Sequence, residues 1–219
     1  MTVMNSDPTR VFPTAGDALL IVDMQNDFIS GSLAVGQGAD LVAPINALRE
    51  RSCFDVIVRS RDWHPTDHVS FAENHPGKEL FTKIVVDETG RDQMMWPVHC
   101  VQGSDGAKYH EDLVCKDSDI EILKGQVKMV ESYSAFGGDG ENTKLTETLR
   151  AAGVTKVYSC GLAFDYCVGS TAESAAQLGF QSFLITDMAK SVSPTTEEPM
   201  QARLSKAGVQ FVTSSELPA

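Results

Sequence analysis

The chain has 219 residues, 42% of them hydrophobic and 22% charged, which suits one substantial core and an ordinary globular domain. Its formal net charge of −12 speaks against nucleic acid and anionic membrane as partners, since both need a positive footprint. No stretch approaches the roughly 18 apolar residues of a membrane span, and five cysteines, odd in number and without CxxC spacing, argue against a disulfide framework or a thiolate zinc cage.

The opening MTVMNSDPTRVFPTAGD holds no continuous apolar signal core. It reads as a loose polar tail over 1–16, with the cytoplasm as the simplest location. Residues 18–22 (ALLIV) read as a buried strand. Over 39–51 the apolar Leu41, Val42, Ile45 and Leu48 recur at helical spacing. A second strand is expected at 55–59 (DVIVR). The excursion over 63–118 is too long for a plain connection in a compact domain, and loops of that length are commonly functional. A third strand follows at 120–123. A helix at 142–152 is stopped by Gly153. Then come a strand at 156–160, a helix at 165–178 ending at Gly179, a strand at 180–186, a helix at 197–207 and a short strand at 209–212.

Alternation of apolar strands with helices is the pattern of a parallel sheet covered on both faces, here a single α/β domain over 1–219. In such a sheet ligands gather outside the carboxyl ends of the strands. Asp23 follows the first strand, Asp62 and His64 the second, Lys124 ends the third, and GLAFDYC follows the fourth. The order of the strands is left open by the pattern.

Cys167 stands where a strand gives way to a helix. The unpaired amides and dipole of a helix start favour a thiolate and suit an oxyanion hole. Taken alone, a thiol there is more often a small buried apolar side chain, which is also the reading for Cys53, Cys100, Cys115 and Cys160. Asp23, at the end of an apolar strand, would be partly desolvated and fit to shuttle a proton, or it could cap a turn. Lys124 could hold a carboxylate and a thiol together, or be a solvated strand-end lysine. In DWHPTDH, Asp62 and His64 sit two apart on an extended segment and point the same way. They could reach one metal with His99 as a third ligand, or form a polar turn. His68 is open between a fourth ligand and a loop hydrogen bond, and His75 and His110 read as surface residues.

IVDMQNDF, SRDWHPTDHVSF, WPVHCVQGSDGA, the Lys124–Gly125 pair, YSAF and GLAFDYCV follow one another in this order. Together, from about residue 18 to residue 193, they resemble the nicotinamidases of the isochorismatase-like hydrolase superfamily. The resemblance implies a three-layer α/β/α fold around a six-stranded, mainly parallel sheet. It places the nucleophile on Cys167, the catalytic aspartate on Asp23 and the catalytic lysine on Lys124. The metal ligands fall on Asp62, His64 and His99, with zinc the first choice and iron or manganese open. Oxyanion donors fall on the amides of Ala163 and Cys167, with a cis peptide between Leu162 and Ala163. Phe28, Trp96 and Tyr133, with Leu162 and Ala163, would enclose the substrate ring.

The implied reaction is hydrolysis of nicotinamide through a thioester, in NAD salvage, with pyrazinamide as a second substrate. Neither nucleic acid nor membrane is a partner in this reading, and homo-oligomerisation is left open. The rivals are an amidohydrolase of the superfamily acting on a ureide or carbamoyl compound, and a non-catalytic protein with a structural metal.

Overall fold

β1 (Ala18–Val22) is buried along its whole length, as an all-apolar strand is when both faces of its sheet are covered. In this computed structural model residues 16–218 are described, apart from 52 and 139, so the tail expected over 1–16 lies outside the described residues except for Gly16. After β1 a four-residue helix, α1 (Asn26–Ile29), and then α2 (Val42–Arg49) lead to β2 (Val56–Asp62). The long excursion carries β3 (Lys83–Val85) and β4 (Asp92–Met94), paired as an antiparallel hairpin. Next come β5 (Ile120–Lys124), a small hairpin of β6 (Gly137–Gly138) and β7 (Glu141–Asn142), α3 (Leu145–Ala151) and β8 (Lys156–Leu162). A π-helical turn, Phe164–Val168, opens into α4 (Gly169–Gln177), followed by β9 (Gln181–Lys190), α5 (Pro194–Ala207) and β10 (Gln210–Val212).

The main sheet has six strands in the order β10-β9-β8-β1-β2-β5, every adjacent pair parallel. Alternation along β1 divides the core in two. Leu19 and Ile21 pack with Val42, Ile45 and Leu48 of α2. Ala18, Leu20 and Val22 face the other way, toward Leu145 and Leu149 of α3, Ala172 and Ala175 of α4, and Met200 and Leu204 of α5. The expected three-layer α/β/α architecture is therefore present. The chain builds outward from β1 through β2 to β5, then returns to add β8, β9 and β10 on the other side. The strand order reverses between β1 and β8, and a crevice opens outside their carboxyl ends. Asp23 and Ala163 stand on its two lips.

Several boundaries differ from the sequence expectation, each for a physical reason. Arg59 and Arg61 interrupt the apolar run of β2, yet the strand continues to Asp62 because both charges are paired. Arg59 Nε lies 2.8 Å from Asp119 Oδ2, and Arg61 reaches Glu121 at 3.3 Å. β9 runs on to Lys190 across an irregularity, with Ser159 opposite Leu184 but Gly161 opposite Ala189. Asn142 belongs to a hairpin, and α3 starts only at Leu145. The helix carrying Cys167 begins as a π turn, a distortion common at functional sites. α5 starts at Pro194, where the Ser193 hydroxyl accepts the Thr195 N–H at 3.2 Å. Among the described residues no helix is long and apolar enough to cross a membrane.

Gly161 shows how tightly the switch point is packed. Its φ is +113°, and a Cβ there would lie 2.1 Å from the Val22 carbonyl oxygen of the neighbouring strand. Replacing Gly161 with alanine is expected to cost on the order of 2–3 kcal/mol, read as a lowered urea midpoint with an unchanged slope.

Candidate active site

Three strand ends and the π turn converge in the crevice. Asp23 leaves β1 with φ 49°, a left-handed conformation that aspartate tolerates better than most residues. Its N–H still donates to the Ser60 carbonyl at 3.1 Å. Ser60 and Asp62 alternate onto one face of β2, and Lys124 of β5 is in register with Asp62. Lys124 is fully buried. Its ammonium lies 2.8 Å from Asp23 Oδ2 and donates both to Asp62 Oδ1 and, at 3.4 Å, to Cys167 Sγ. Ser60 Oγ donates to Asp23 Oδ1 at 2.8 Å. One oxygen of Asp23, one of Asp62 and the Cys167 sulfur lie within 4.8 Å of one another.

Electrostatics divides the labour between the two carboxylates. Burial pushes Asp23 above its ordinary pKa; the Lys124 charge opposes this and the neighbouring Asp62 adds to it. Asp62 is equally buried, but Lys124, His64 and His99 together hold it well below the ordinary range. Burial also pushes the Cys167 thiol up, with Asp23 and Asp62 adding and Lys124 opposing. The lowered thiol pKa expected of a helix start is thus overridden, because the sulfur is buried beside two carboxylates. A protonated thiol therefore faces a carboxylate with raised proton affinity, across one ammonium that stabilises either anion.

Asp62, His64 and His99 bring one ligand atom each within 4.8 Å of the others. The donor chemistry fits a divalent metal. His64 Nδ1 pairs with the Gly125 carbonyl at 2.8 Å and His99 Nδ1 with the Pro97 carbonyl at 2.7 Å. Each ring therefore carries its proton on Nδ1 and turns Nε2 toward Asp62 Oδ2, at 3.5 and 3.9 Å. His64 Nε2 is buried with no hydrogen-bond partner, as an atom kept for a metal would be. Gly125, with φ +65°, lets the ring sit this close: a Cβ there would meet His64 Cε1 at 2.3 Å. His68 stacks on His64 with ring centroids 4.1 Å apart, but both its nitrogens are engaged, with Ser70 Oγ and the Val130 carbonyl. Burial lowers its pKa to about 3. It supports the His64 ring and is outside the ligand group. His75 and His110 lie half-buried in the loops, His75 holding the Val69 carbonyl at 2.8 Å.

The crevice narrows to a pocket with about 20 Å³ of free space, lined by Phe28, Trp96, Tyr133 and Tyr166 above Asp62, His99, Ala163 and Cys167. That is room for about one water. A cavity of about 520 Å³ lies beyond it, sharing Glu131, Tyr133 and Tyr166 as a partition. Trp96 Nε1 donates to Tyr133 Oη at 3.0 Å, and Tyr166 packs edge-on against Trp96 at 4.8 Å. Of the residues expected to enclose the ring, Phe28, Trp96, Tyr133 and Ala163 line this pocket. Leu162 is buried behind it against Gly38. The peptide between Leu162 and Ala163 is cis.

Sequence reasoning misses four residues here. Gln25 clamps Asp62 by accepting its N–H at 2.8 Å and donating to its carbonyl at 2.9 Å. Ser60 orients Asp23. Tyr166 and Glu131 line both cavities, and burial pushes the Glu131 carboxyl up against the nearby His64 charge. Period-two alternation could have found Ser60 and the quoted IVDMQNDF could have drawn Gln25; Glu131 sits in a loop that carries no pattern.

The Isochorismatase domain model matches residues 17–216. The nicotinamidase of Escherichia coli (strain K12) is 39% identical over 206 residues, spanning 91% of this chain and 95% of its own. The Acinetobacter baumanii nicotinamidase/pyrazinamidase structure superposes with a TM-score of 0.86 at 38% identity, over 92% of this chain and 97% of that one. A Pyrococcus horikoshii pyrazinamidase solved in complex with zinc superposes with a TM-score of 0.73 at 33% identity, over 90% and 99%.

Two outcomes test this site. Lys124→Met leaves Asp23 and Asp62 buried without their cation and should cost about 3–5 kcal/mol at neutral pH, measured by denaturant unfolding. His99→Ala removes one of three ligands and should weaken divalent-metal binding by at least about 100-fold in a chelator competition; unchanged affinity would reject the ligand group.

Proposed function

This chain belongs to the isochorismatase family, and we propose that it is a metal-dependent cysteine amidohydrolase that converts nicotinamide to nicotinate and ammonia. One observation carries the reading. Thiol, proton carrier and ammonium are gathered around Cys167, which itself lines an aromatic pocket whose wall includes two of the three metal ligands. A closed structural metal site set apart from Cys167 does not have this arrangement.

In this reaction Asp23 takes the Cys167 proton as the sulfur attacks the carboxamide carbon. Lys124 stays bonded to both, so negative charge moves from one to the other without leaving its field. The amides of Ala163 and Cys167 receive the developing oxyanion. Asp23 then passes its proton to the departing ammonia, leaving a thioester on Cys167. With Asp23 ionised again, it activates a water that attacks the thioester, and the acid is released with the thiol restored. One hard amide hydrolysis becomes two easier steps. Phe28, Trp96 and Tyr133 hold the ring, and Gln25 keeps Asp62 pointed at the metal position.

Two imidazoles and one carboxylate suit zinc first, and zinc is what the Pyrococcus horikoshii relative was solved with. When bound by Asp62, His64 and His99, the ion would polarise a water or orient the pyridine nitrogen. Pyrazinamide, whose ring and carboxamide are nearly isosteric with those of nicotinamide, is the second substrate in this reading. The five cysteines are free, and a reducing cytoplasm keeps Cys167 in the form the mechanism needs.

The test is ammonia release from nicotinamide, pyrazinamide and a ureide. The two carboxamides should be turned over and the ureide left intact. Cys167→Ala should lower kcat by at least about 10⁴-fold while metal content stays unchanged. Full turnover in that variant would remove Cys167 from the mechanism. Preference for the ureide would move the enzyme to another branch of the family.

A further inference from the structure

We infer that Asp27 is a positioning residue for the metal ligands: its carboxylate fixes the backbone of Cys100, from which His64 and His99 both take their places. The inference rests on the metal-site reading above and assigns a residue to maintaining it.

Asp27 lies in α1, four residues beyond Asp23, half-buried. Its recorded partners are peptide N–H groups rather than cations. Oδ2 accepts the Cys100 N–H at 2.7 Å and Oδ1 accepts the Ser32 N–H at 3.3 Å. Two glycines leave room for the carboxylate. A Cβ on Gly106 would lie 2.0 Å from Oδ2, and one on Gly31 would lie 2.3 Å from Oδ1. The helix is tied to the same loop by its backbone, with Asp27 N–H donating to the Gly106 carbonyl at 3.0 Å and Asn26 N–H to the Lys108 carbonyl at 2.9 Å.

What Asp27 holds is an unusual backbone conformation. Cys100 is fully buried with φ 47°, a left-handed conformation that a non-glycine residue keeps only when its surroundings enforce it. Its N–H is taken by Asp27, and its carbonyl accepts the His64 N–H at 3.0 Å. The His64 carbonyl in turn accepts the Gln102 N–H at 2.9 Å. The residue before Cys100 is His99. The two imidazoles, with ring centroids 5.0 Å apart, are therefore referenced to one residue: His99 through the 99–100 peptide that Asp27 anchors, and His64 through the 100–101 peptide on the other side of the same α-carbon. The next residue, Phe28, sets its ring 5.5 Å from that of His99. None of the hydrogen bonds recorded for the Asp27 carboxylate touches Asp23, Lys124 or Cys167. Loss of Asp27 should thus loosen the metal half of the site and spare the thiol half.

The experiment uses the full chain, stripped of metal. Zinc affinity is measured by competition with a chromophoric chelator, and alkylation of the Cys167 peptide is followed by mass spectrometry in the metal-free protein. Asp27→Ala should weaken zinc binding about 10–100-fold, the range for residues that orient ligands, while Cys167 alkylation stays within about twofold of the parent. Asp27→Asn, which keeps an oxygen for the Cys100 N–H, should recover affinity to within about threefold. Should the alanine protein not fold, Gly106→Ala displaces the same carboxylate and carries the same expectation. The inference is overturned if the alanine variants hold zinc as the parent does, or if thiol reactivity shifts as much as zinc affinity. A parent protein that binds no zinc would instead remove the metal-site reading, and the inference with it.

Discussion

Lys124 places one buried ammonium against three groups that carry or develop negative charge, and the rest of the site is arranged around that contact. A lone buried lysine would shed its proton, and two buried carboxylates side by side would not both ionise. Each of these costs is offset only by the others. The three partners come from separate elements: Asp23 from the end of β1, Asp62 from the end of β2, and Cys167 from the π turn after β8. The parallel sheet supplies the alignment, since Asp62 and Lys124 are register partners. An ion network of this kind adds little net stability, but it makes every alternative arrangement costly.

The same network separates two carboxylates of identical chemistry. Asp62 has Lys124 on one side and two imidazoles on the other, which keeps it ionised and fit to bind a cation. Asp23 has only the shared ammonium and the Ser60 hydroxyl against full burial, which leaves its proton affinity raised above that of an ordinary carboxylate. Proton transfer from sulfur to Asp23 then rearranges charge inside a fixed field, with no solvent to reorganise. The metal side is held by a second system, made of peptide groups rather than charges. Gly125 and Pro97 carbonyls set the tautomers, Gln25 clamps the Asp62 backbone, and the Cys100 backbone links the two histidine loops.

Much of this was legible in the residues. ALLIV at β1 and the alternating helices announce a parallel sheet with both faces covered, because an all-apolar strand has nowhere else to lie. Asp23, Asp62, Lys124 and the GLAFDYC segment could be placed at the carboxyl edge because each stands at the end of an apolar run. Where charge interrupted such a run, as at Arg59 and Arg61, the reading stopped short, since nothing local reveals that Asp119 and Glu121 wait across the sheet. The state of the Cys167 thiol was read from its helix-start position and came out reversed, because burial is a property of the surroundings and outweighs a local dipole. Glu131 and Tyr166 were silent for the same reason: they matter through what lies beside them.

The amino-acid order by itself determined the element types, the edge of the sheet at which chemistry would collect and the residues able to perform it, because period, apolar runs and strand ends are local properties of the chain. Only the tertiary structure decided the strand order that sets β1 beside β8, the approach of Lys124 to three partners, the direction of each pKa shift and the narrow aromatic pocket. These are set by distance and desolvation between residues up to about 140 positions apart in sequence, and in a medium of low polarizability a few ångströms decide which group holds the proton.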